Sequence, residues 1–344
     1  MHALAAESVC RIQSFQPQNL SNIAWAFARL ADAHMPLLAS IAPEFSRKMS
    51  AFDPQGIANT AWALAKLNFR DTTFMHAISA GALSKMRQFE PQSLANIAWA
   101  WATLGLRDNP LRAAISSQSL RRLVEFRPLP LTNLVWSYAT LSVHDGPLLD
   151  ALAAASLRLI FEYNPQQVAN TSWSFAKLGC EDRPLLDALS AQALRLLNEF
   201  DAQKLTNTAW AWATLEVENL PLMDAISSRA LRLIDDYSAQ HCANMAWSCA
   251  RLLYSHMPLL DAIASSALAT IREAIPQEIF NTAWSFAKLG VLPRPLLSAI
   301  SAESLRRMPE FEMRGIANIA WACATLGWRD APLIAALSAE ALRK

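Results

Sequence analysis

The sequence predicts an all-α fold: a right-handed superhelical α-solenoid of nine 37-residue helix–turn–helix repeats, with partial repeats at both ends. Three observations predict it. Asparagine recurs at Asn22, Asn59, Asn96, Asn133, Asn170, Asn207, Asn244, Asn281 and Asn318, always 37 residues apart. Tryptophan follows each asparagine by three residues, from Trp25 to Trp321. Proline returns at Pro36, Pro110, Pro147, Pro184, Pro221, Pro258, Pro295 and Pro332, and is replaced once, by Thr73. Self-similarity at such a period marks an array in which each unit buries its apolar face against its neighbours.

The array reads as one repeat domain over 1–344. A partial repeat (helix B only) covers 1–15. Full repeats follow at 16–52, 53–89, 90–126, 127–163, 164–200, 201–237, 238–274 and 275–311, and a slightly truncated last repeat covers 312–344. Neither end carries the polar capping repeat that arrays use for solubility, so the chain is expected to be an excerpt of a longer protein.

Within each unit, helix A is expected to start at a Pro-Gln step (Pro17-Gln18, Pro54-Gln55, Pro91-Gln92, Pro165-Gln166). Proline suits the first turn, where its missing N–H has no helical partner. The step is lost at Ala202-Gln203, Ala239-Gln240 and Met313-Arg314, and Leu129-Pro130 puts a proline inside a first turn. A short link follows, often with Gly and Asp, as in Gly105-Leu106-Arg107-Asp108. Asp71, Asp108, Asp145, Asp182 and Asp330 stand where a carboxylate caps helix B. Helix B then runs to an aromatic residue: Phe52, Phe89, Phe126, Tyr163, Phe200 or Tyr237.

At 100° per residue, helix A is apolar over most of its circumference, through Leu20, Ile23, Ala24, Trp25, Phe27, Ala28 and Leu30. Such a helix is buried against its partner and both neighbouring repeats, which makes it the inner helix and leaves one narrow strip along a groove. The tryptophans are expected in the core, in room left by Ala24 and Ala28, bordering the strip. The second aromatic, at Trp101, Tyr138, Phe175 and Trp212, is also expected in the core. On helix B, Arg121/Glu125, Arg158/Glu162, Arg195/Glu199 and Arg232/Asp236 have the spacing of solvated i,i+4 ion pairs.

The strip holds the candidate binding residues. Its asparagine is the same in all nine repeats. The slot three residues earlier varies and contributes Asn19, Gln167, Lys204 and His241. The slot seven residues later alternates between cations (Arg29, Lys66, Lys177, Arg251, Lys288) and threonines (Thr103, Thr140, Thr214, Thr325). A constant amide beside variable polar groups suits repeat-by-repeat reading of single-stranded RNA, with the cations on phosphates and the indoles open to base stacking. The amide equally suits a bridge to the backbone of the next repeat.

Other classes find little support. Net charge is +1 with a pI near 7.7, so no global field draws the chain to nucleic acid or membrane. The five cysteines form no C-x-x-C pair, charges and prolines interrupt every apolar run, and the six histidines are scattered. No G-x-G-x-x-G, P-loop, H-E-x-x-H or nucleophile elbow appears. The chain is expected to be a binder without catalytic residues, metal, cofactor, small-molecule substrate or membrane partner, and no targeting peptide is visible.

The run F-x-P-Q-x-L-x-N-x-A-W-A-x-A-x-L-G at 89–105 resembles the octotricopeptide repeats of algal organelle factors. The 37-residue period is closer to the heptatricopeptide repeats of apicomplexan organelle proteins. Both are akin to the leucine-rich region of FAST-kinase-type and RAP-family RNA proteins, and to kinetoplastid RNA-editing substrate-binding subunits. The resemblance covers essentially the whole chain. It implies an α-solenoid that binds single-stranded organellar RNA, alongside other RNA-processing proteins, and controls transcript processing, stability or translation. The implied location is the mitochondrial matrix or the chloroplast. The alternative reading is an armadillo- or HEAT-like scaffold for peptides or assembly. Those repeats are longer, at about 40–47 residues.

Overall fold

The computed structural model describes residues 2–344, and every regular element among them is helical. The chain forms two compact units, Met1–Glu162 and Tyr163–Lys344. In the first, the helices A are α2 (Pro17–Arg29), α4 (Pro54–Lys66), α6 (Pro91–Leu104) and α8 (Pro128–Thr140). Its helices B are α1 (His2–Arg11), α3 (Met35–Arg47), α5 (Thr72–Lys85), α7 (Asn109–Arg121) and α9 (Gly146–Leu159). In the second unit, the helices A are α10 (Pro165–Lys177), α12 (Ala202–Thr214), α14 (Ala239–Arg251), α16 (Pro276–Lys288) and α18 (Met313–Leu326). Its helices B are α11 (Arg183–Leu196), α13 (Leu220–Arg232), α15 (Met257–Thr270), α17 (Arg294–Arg306) and α19 (Ala331–Arg343). Within each unit every helix A packs on the next helix A and every helix B on the next helix B, giving a two-layered solenoid arrangement.

Local chemistry sets these boundaries. Helix A begins in the same register even where proline is lost, because the Asp201 and Ser238 side chains accept the Lys204 and His241 amides. Pro130 is accommodated as the third residue of α8, ahead of the first amide that an α-helix needs. Just past the end of helix A the chain turns left-handed in every repeat. The residue there is Gly105, Gly179, Gly290 or Gly327 in four repeats, and Ala31, Asn68, Ser142, Glu216 or Leu253 in the others. The following amide bonds back to a carbonyl five residues earlier, as in Leu106 N–H to Trp101 at 2.9 Å, which ends the helix in a Schellman motif. All five predicted aspartate caps form; Asp108 Oδ1, for example, accepts the Leu111 amide at 3.0 Å.

Helix B stops earlier than its sequence suggests. In the second repeat α5 ends at Lys85, and a 3-10 turn over Met86–Gln88 then delivers Phe89 in an extended conformation. The Phe89 ring is fully buried, as are Phe52, Phe126, Phe200 and Phe311. Each such ring contributes about 1.5–3 kcal/mol of burial free energy. Trp101, Tyr138, Phe175 and Trp212 are in the core as expected.

The early end of helix B corrects two of the expected arginine pairs. With the chain already in the 3-10 turn, the residue four positions on no longer lies above the arginine. Glu125 pairs with Arg122 at 2.5 Å rather than with Arg121, and Glu162 faces Arg127 at 4.0 Å. Arg158 instead reaches the Val124 carbonyl of the preceding repeat at 3.4 Å. Ties of that kind recur between repeats. Lys48 donates to the Gln13 carbonyl at 2.7 Å, Lys85 to Ser50 at 2.7 Å, and Arg122 to Phe89 at 3.0 Å.

Candidate functional site

On an α-helix, positions i, i+4, i+7 and i+11 fall on one face. In α2 these are Gln18, Asn22, Trp25 and Arg29. The same four positions of α10 carry Gln166, Asn170, Trp173 and Lys177, and those of α14 carry Gln240, Asn244, Trp247 and Arg251. Side by side, the helices A of each unit therefore present four rows, of glutamine, asparagine, tryptophan and cation or threonine. Asn22 is exposed, and the other eight asparagines are partly exposed. Asn96 and Asn170 accept from Gln92 and Gln166 of their own helices at 2.8 and 2.7 Å. Among the described residues no asparagine of this row bonds through its side chain to a neighbouring repeat, so the bridging alternative gains no support.

The tryptophans correct the expectation of core packing. Trp25 and Trp321 are 45% and 42% exposed, and the other seven are half-buried. The cause lies in the spacing. Trp25 shares the Gln18–Asn22 face, while Leu20, Ala24, Phe27 and Ala28 hold the opposite, buried one. Indoles of successive repeats cover one another instead. Ring centroids are 6.2 Å apart for Trp62–Trp99 and 6.4 Å for Trp99–Trp136 in the first unit. In the second they are 6.3 Å for Trp173–Trp210, 6.2 Å for Trp210–Trp247 and 6.2 Å for Trp284–Trp321. Inserting a base between two rings requires twice the stacking rise of ~3.4 Å, with planes parallel. These rings are tilted by 26–33° and already closer than that, so each pair offers a ligand its edges.

The cations lie at the far end of the strip. Arg29, Lys177 and Arg251 sit over their own tryptophans at 5.7, 4.7 and 5.8 Å from the ring centroids. Arg251 is also paired with Glu216, while Lys66 and Lys288 are exposed. In the threonine repeats the hydroxyls of Thr103, Thr140 and Thr214 are buried without a hydrogen-bond partner, which removes them from the solvent face.

The variable slot three residues before each asparagine lies about 60–100° away from the strip's axis, and in four repeats its side chain caps helix A. Asn19 Oδ1 accepts the Gln16 amide at 2.9 Å, and Gln167 Oε1 accepts the Asn164 amide at 2.9 Å. Lys204 is paired with Asp201. His241 Nδ1 accepts the Ser238 amide at 3.2 Å, and burial lowers its pKa below the ordinary 6.5, which favours the neutral ring. The structure thus brings Asn22, Asn59, Asn96 and Asn133 together with Arg29 and Lys66 in the first unit. In the second it brings Asn170, Asn207, Asn244, Asn281 and Asn318 together with Lys177, Arg251 and Lys288. Asn19, Gln167, Lys204 and His241 are set aside from these rows. Reading the helix by faces adds the row of Gln18, Gln55, Gln92, Gln166, Gln203, Gln240 and Gln277, all exposed. Plotted at 100° per residue, the sequence already places Gln18 on the open arc with Asn22 and Arg29; the structure shows that the glutamine recurs there as a row.

The family model of the RNA-editing substrate-binding complex 6 protein matches residues 78–331, well over half of the chain and most of both units. The chain belongs to this family. The RNA-editing substrate-binding complex 6 family accords with the all-helical repeats and with the kinship to RNA-editing subunits drawn from the repeat motif. No curated protein matches the chain. Among the described residues no cluster of His, Cys, Asp or Glu could hold a metal ion, and no helix is long and apolar enough to cross a membrane.

Proposed function

We propose that this chain is a mitochondrial RNA-binding component of an RNA-editing substrate-binding complex. It holds single-stranded RNA along the exposed strip of its helices A and acts as a binder rather than an enzyme. The observation that carries the reading is the four-row strip itself. Amides repeat at the position where each successive nucleotide would present a base edge, the indole edges wall one side, and Arg29, Lys66, Lys177, Arg251 and Lys288 supply phosphate contacts. Membership of a family named for an RNA-editing substrate-binding complex supports RNA as the ligand class. The mitochondrion follows from the kinetoplastid RNA-editing subunits that the sequence resembles.

Because the indole faces cover one another, recognition runs through hydrogen bonds from Asn and Gln to base edges rather than through stacking. The discriminating experiment presents the chain with a randomised single-stranded RNA pool and, separately, with a library of extended uncharged peptides, across a range of salt. Enrichment of an RNA motif of roughly nine nucleotides, with affinity falling as salt rises, supports the reading. Binding of neutral peptides with no RNA enrichment supports the armadillo-like scaffold instead.

A further inference from the structure

The repeats supply an internal control for every position, because a side chain required for folding should recur at each 37-residue step. The fourth residue of helix B obeys that rule with one exception. It is Leu38, Leu149, Leu186, Leu260 and Leu297 in five repeats and Met75 and Met223 in two, all of them buried, and Ile334 in the last. In α7 the position holds Arg112, which is half-buried. Folding gains from an apolar side chain at this slot and loses from a guanidinium that no carboxylate neutralises. Among the described residues neither Arg112 nor its neighbour Arg107 takes part in an ion pair or a side-chain hydrogen bond. Repeat packing therefore does not account for Arg112.

Around Arg112 the first unit leaves a cleft of about 390 Å³, within the ~300–1,000 Å³ range of small-molecule sites. Part of its lining is apolar, from Trp101, Leu106, Ile115 and Val143. Another part is cationic, from Arg107, Arg112 and His144. The one carboxylate in the lining, Asp108, is engaged through both oxygens. Its Oδ1 accepts the Leu111 amide at 3.0 Å, and its Oδ2 accepts the Ser79 hydroxyl at 2.5 Å. Tyr138 carries the one hydroxyl at a position that is Phe, Trp, Leu or Cys in the other repeats. It donates to the Arg112 carbonyl at 3.1 Å, which ties the backbone of Arg112 to α8.

We propose that this cleft binds a nucleotide, with the phosphate on Arg107 and Arg112 and the base against the apolar lining. Guanidinium forks match phosphate oxygens, and their planes also stack on bases. A fatty carboxylate would fill the apolar part but leave Asn109 and Ser142, polar and exposed in the same lining, without a role. The strip points the same way. In the first unit its cation row runs through Arg29 and Lys66 and then stops, because the hydroxyls of Thr103 and Thr140 are closed off. Arg107 and His144 follow those two threonines by four residues each, so positive charge returns in the same two repeats. The nucleotide is either a unit of the RNA strand, which rests on the function proposed above, or a free one.

The repeats also provide substitutions that their own fold tolerates. Arg112→Leu installs the residue that five other repeats hold at that slot, and Arg107→Ser the one found at Ser255. The full chain is titrated by calorimetry with nucleoside 5′-monophosphates and, in parallel, with inorganic phosphate and with nucleosides. Circular-dichroism melting confirms that each variant is folded. A nucleoside monophosphate is expected to bind roughly tenfold or more tightly than either half. R112L and R107S are each expected to weaken it roughly tenfold or more, with the Tm of R112L unchanged or raised. A single-stranded RNA then identifies the source. An RNA affinity that falls with R112L assigns the nucleotide to the strand, and one that R112L leaves unmoved assigns it to a free nucleotide. Inorganic phosphate binding as tightly as the nucleotide overturns the proposal, as does nucleotide affinity that survives R112L. Absence of nucleotide binding overturns it too, and leaves the reading of the strip standing if RNA still binds.

Discussion

The ammonium of Lys177 lies 4.7 Å from the centre of the Trp173 ring, one turn before it on α10. The ring holds the charge at the end of the strip, and α10 itself carries no acidic residue. A cation placed to meet a phosphate releases about one counterion on binding. Lys177→Gln is therefore expected to lower RNA affinity at low salt and to reduce the slope of log affinity against log salt by about 0.7. An unchanged slope, measured by fluorescence anisotropy from low to high salt, would remove Lys177 from the interface.

Asn170 tests the amide row. Among the described residues its side chain accepts only from Gln166 of its own helix, so folding makes little use of it. Asn170→Ala is expected to weaken RNA binding by roughly fivefold to tenfold, in line with one lost hydrogen bond to a ligand, while shifting Tm hardly at all. A large fall in Tm with unchanged binding would assign the asparagine to repeat stability.

Lys85 tests the ties between repeats. Its ammonium donates to the carbonyls of Ser50 and Phe52 at 2.7 and 2.5 Å. Those carbonyls end the preceding helix B layer and its 3-10 turn. Lys85→Met keeps the aliphatic stem and removes the charge, and is expected to cost about 1–2 kcal/mol in chemical denaturation. Lys66→Met, on the exposed strip, is expected to leave stability unchanged.

Glu303 predicts an acid limit. Its hydrogen bond to Arg306 outweighs the opposing effect of burial and holds the carboxyl below its ordinary value of 4.5. Glu44 with Arg47 and Glu340 with Arg343 repeat the arrangement, with the same direction of shift. A carboxylate whose pKa is lower folded than unfolded stabilises the fold fully above the unfolded value. That stabilisation is lost as pH falls from about 4.5 through the folded value. Melting scans from neutral pH down to pH 3 should show a fall in Tm beginning near 4.5, and Glu303→Gln should make it shallower.

The left-handed link offers a gain in stability. Leu253 occupies with φ 52° the place that glycine fills in Gly105 and Gly179. A side chain in that conformation costs about 1–2 kcal/mol, against the 0.5–1 kcal/mol that glycine loses in chain entropy. Leu253→Gly is expected to stabilise the chain by about 0.5–1 kcal/mol in urea denaturation. Gly105→Ala is expected to destabilise it by a similar amount.

Much of the fold is legible in the sequence because each repeat states it again. The Pro-Gln step, the Asn-x-x-Trp spacing and the aspartate caps are local signals, and each marks a boundary that the structure reproduces within a residue or two. The tryptophans were misplaced because Trp25, at the border of the strip, was counted for its hydrophobicity into the broad apolar arc with Leu20 and Phe27. Angular position puts it with Asn22 and Gln18, and an indole half-covered by the next indole needs no core. The arginine pairs were misplaced because nothing in the composition of helix B announces the 3-10 turn that ends it.

By itself the sequence determined the repeat, its phase, the ends of helix A, the start of helix B and the asparagine row, since these follow from backbone chemistry within 37 residues. Tertiary structure alone decided which polar groups remain available. Neighbouring repeats are needed to show that the indoles face one another, that Arg251 meets Glu216, and that the Thr103, Thr140 and Thr214 hydroxyls are closed off. Capping bonds to the backbone likewise remove Asn19, Gln167 and His241 from the strip, and an ion pair with Asp201 removes Lys204. The physical reason is one of range. Helix formation depends on residues three and four apart, whereas exposure depends on what the next repeat places against each side chain.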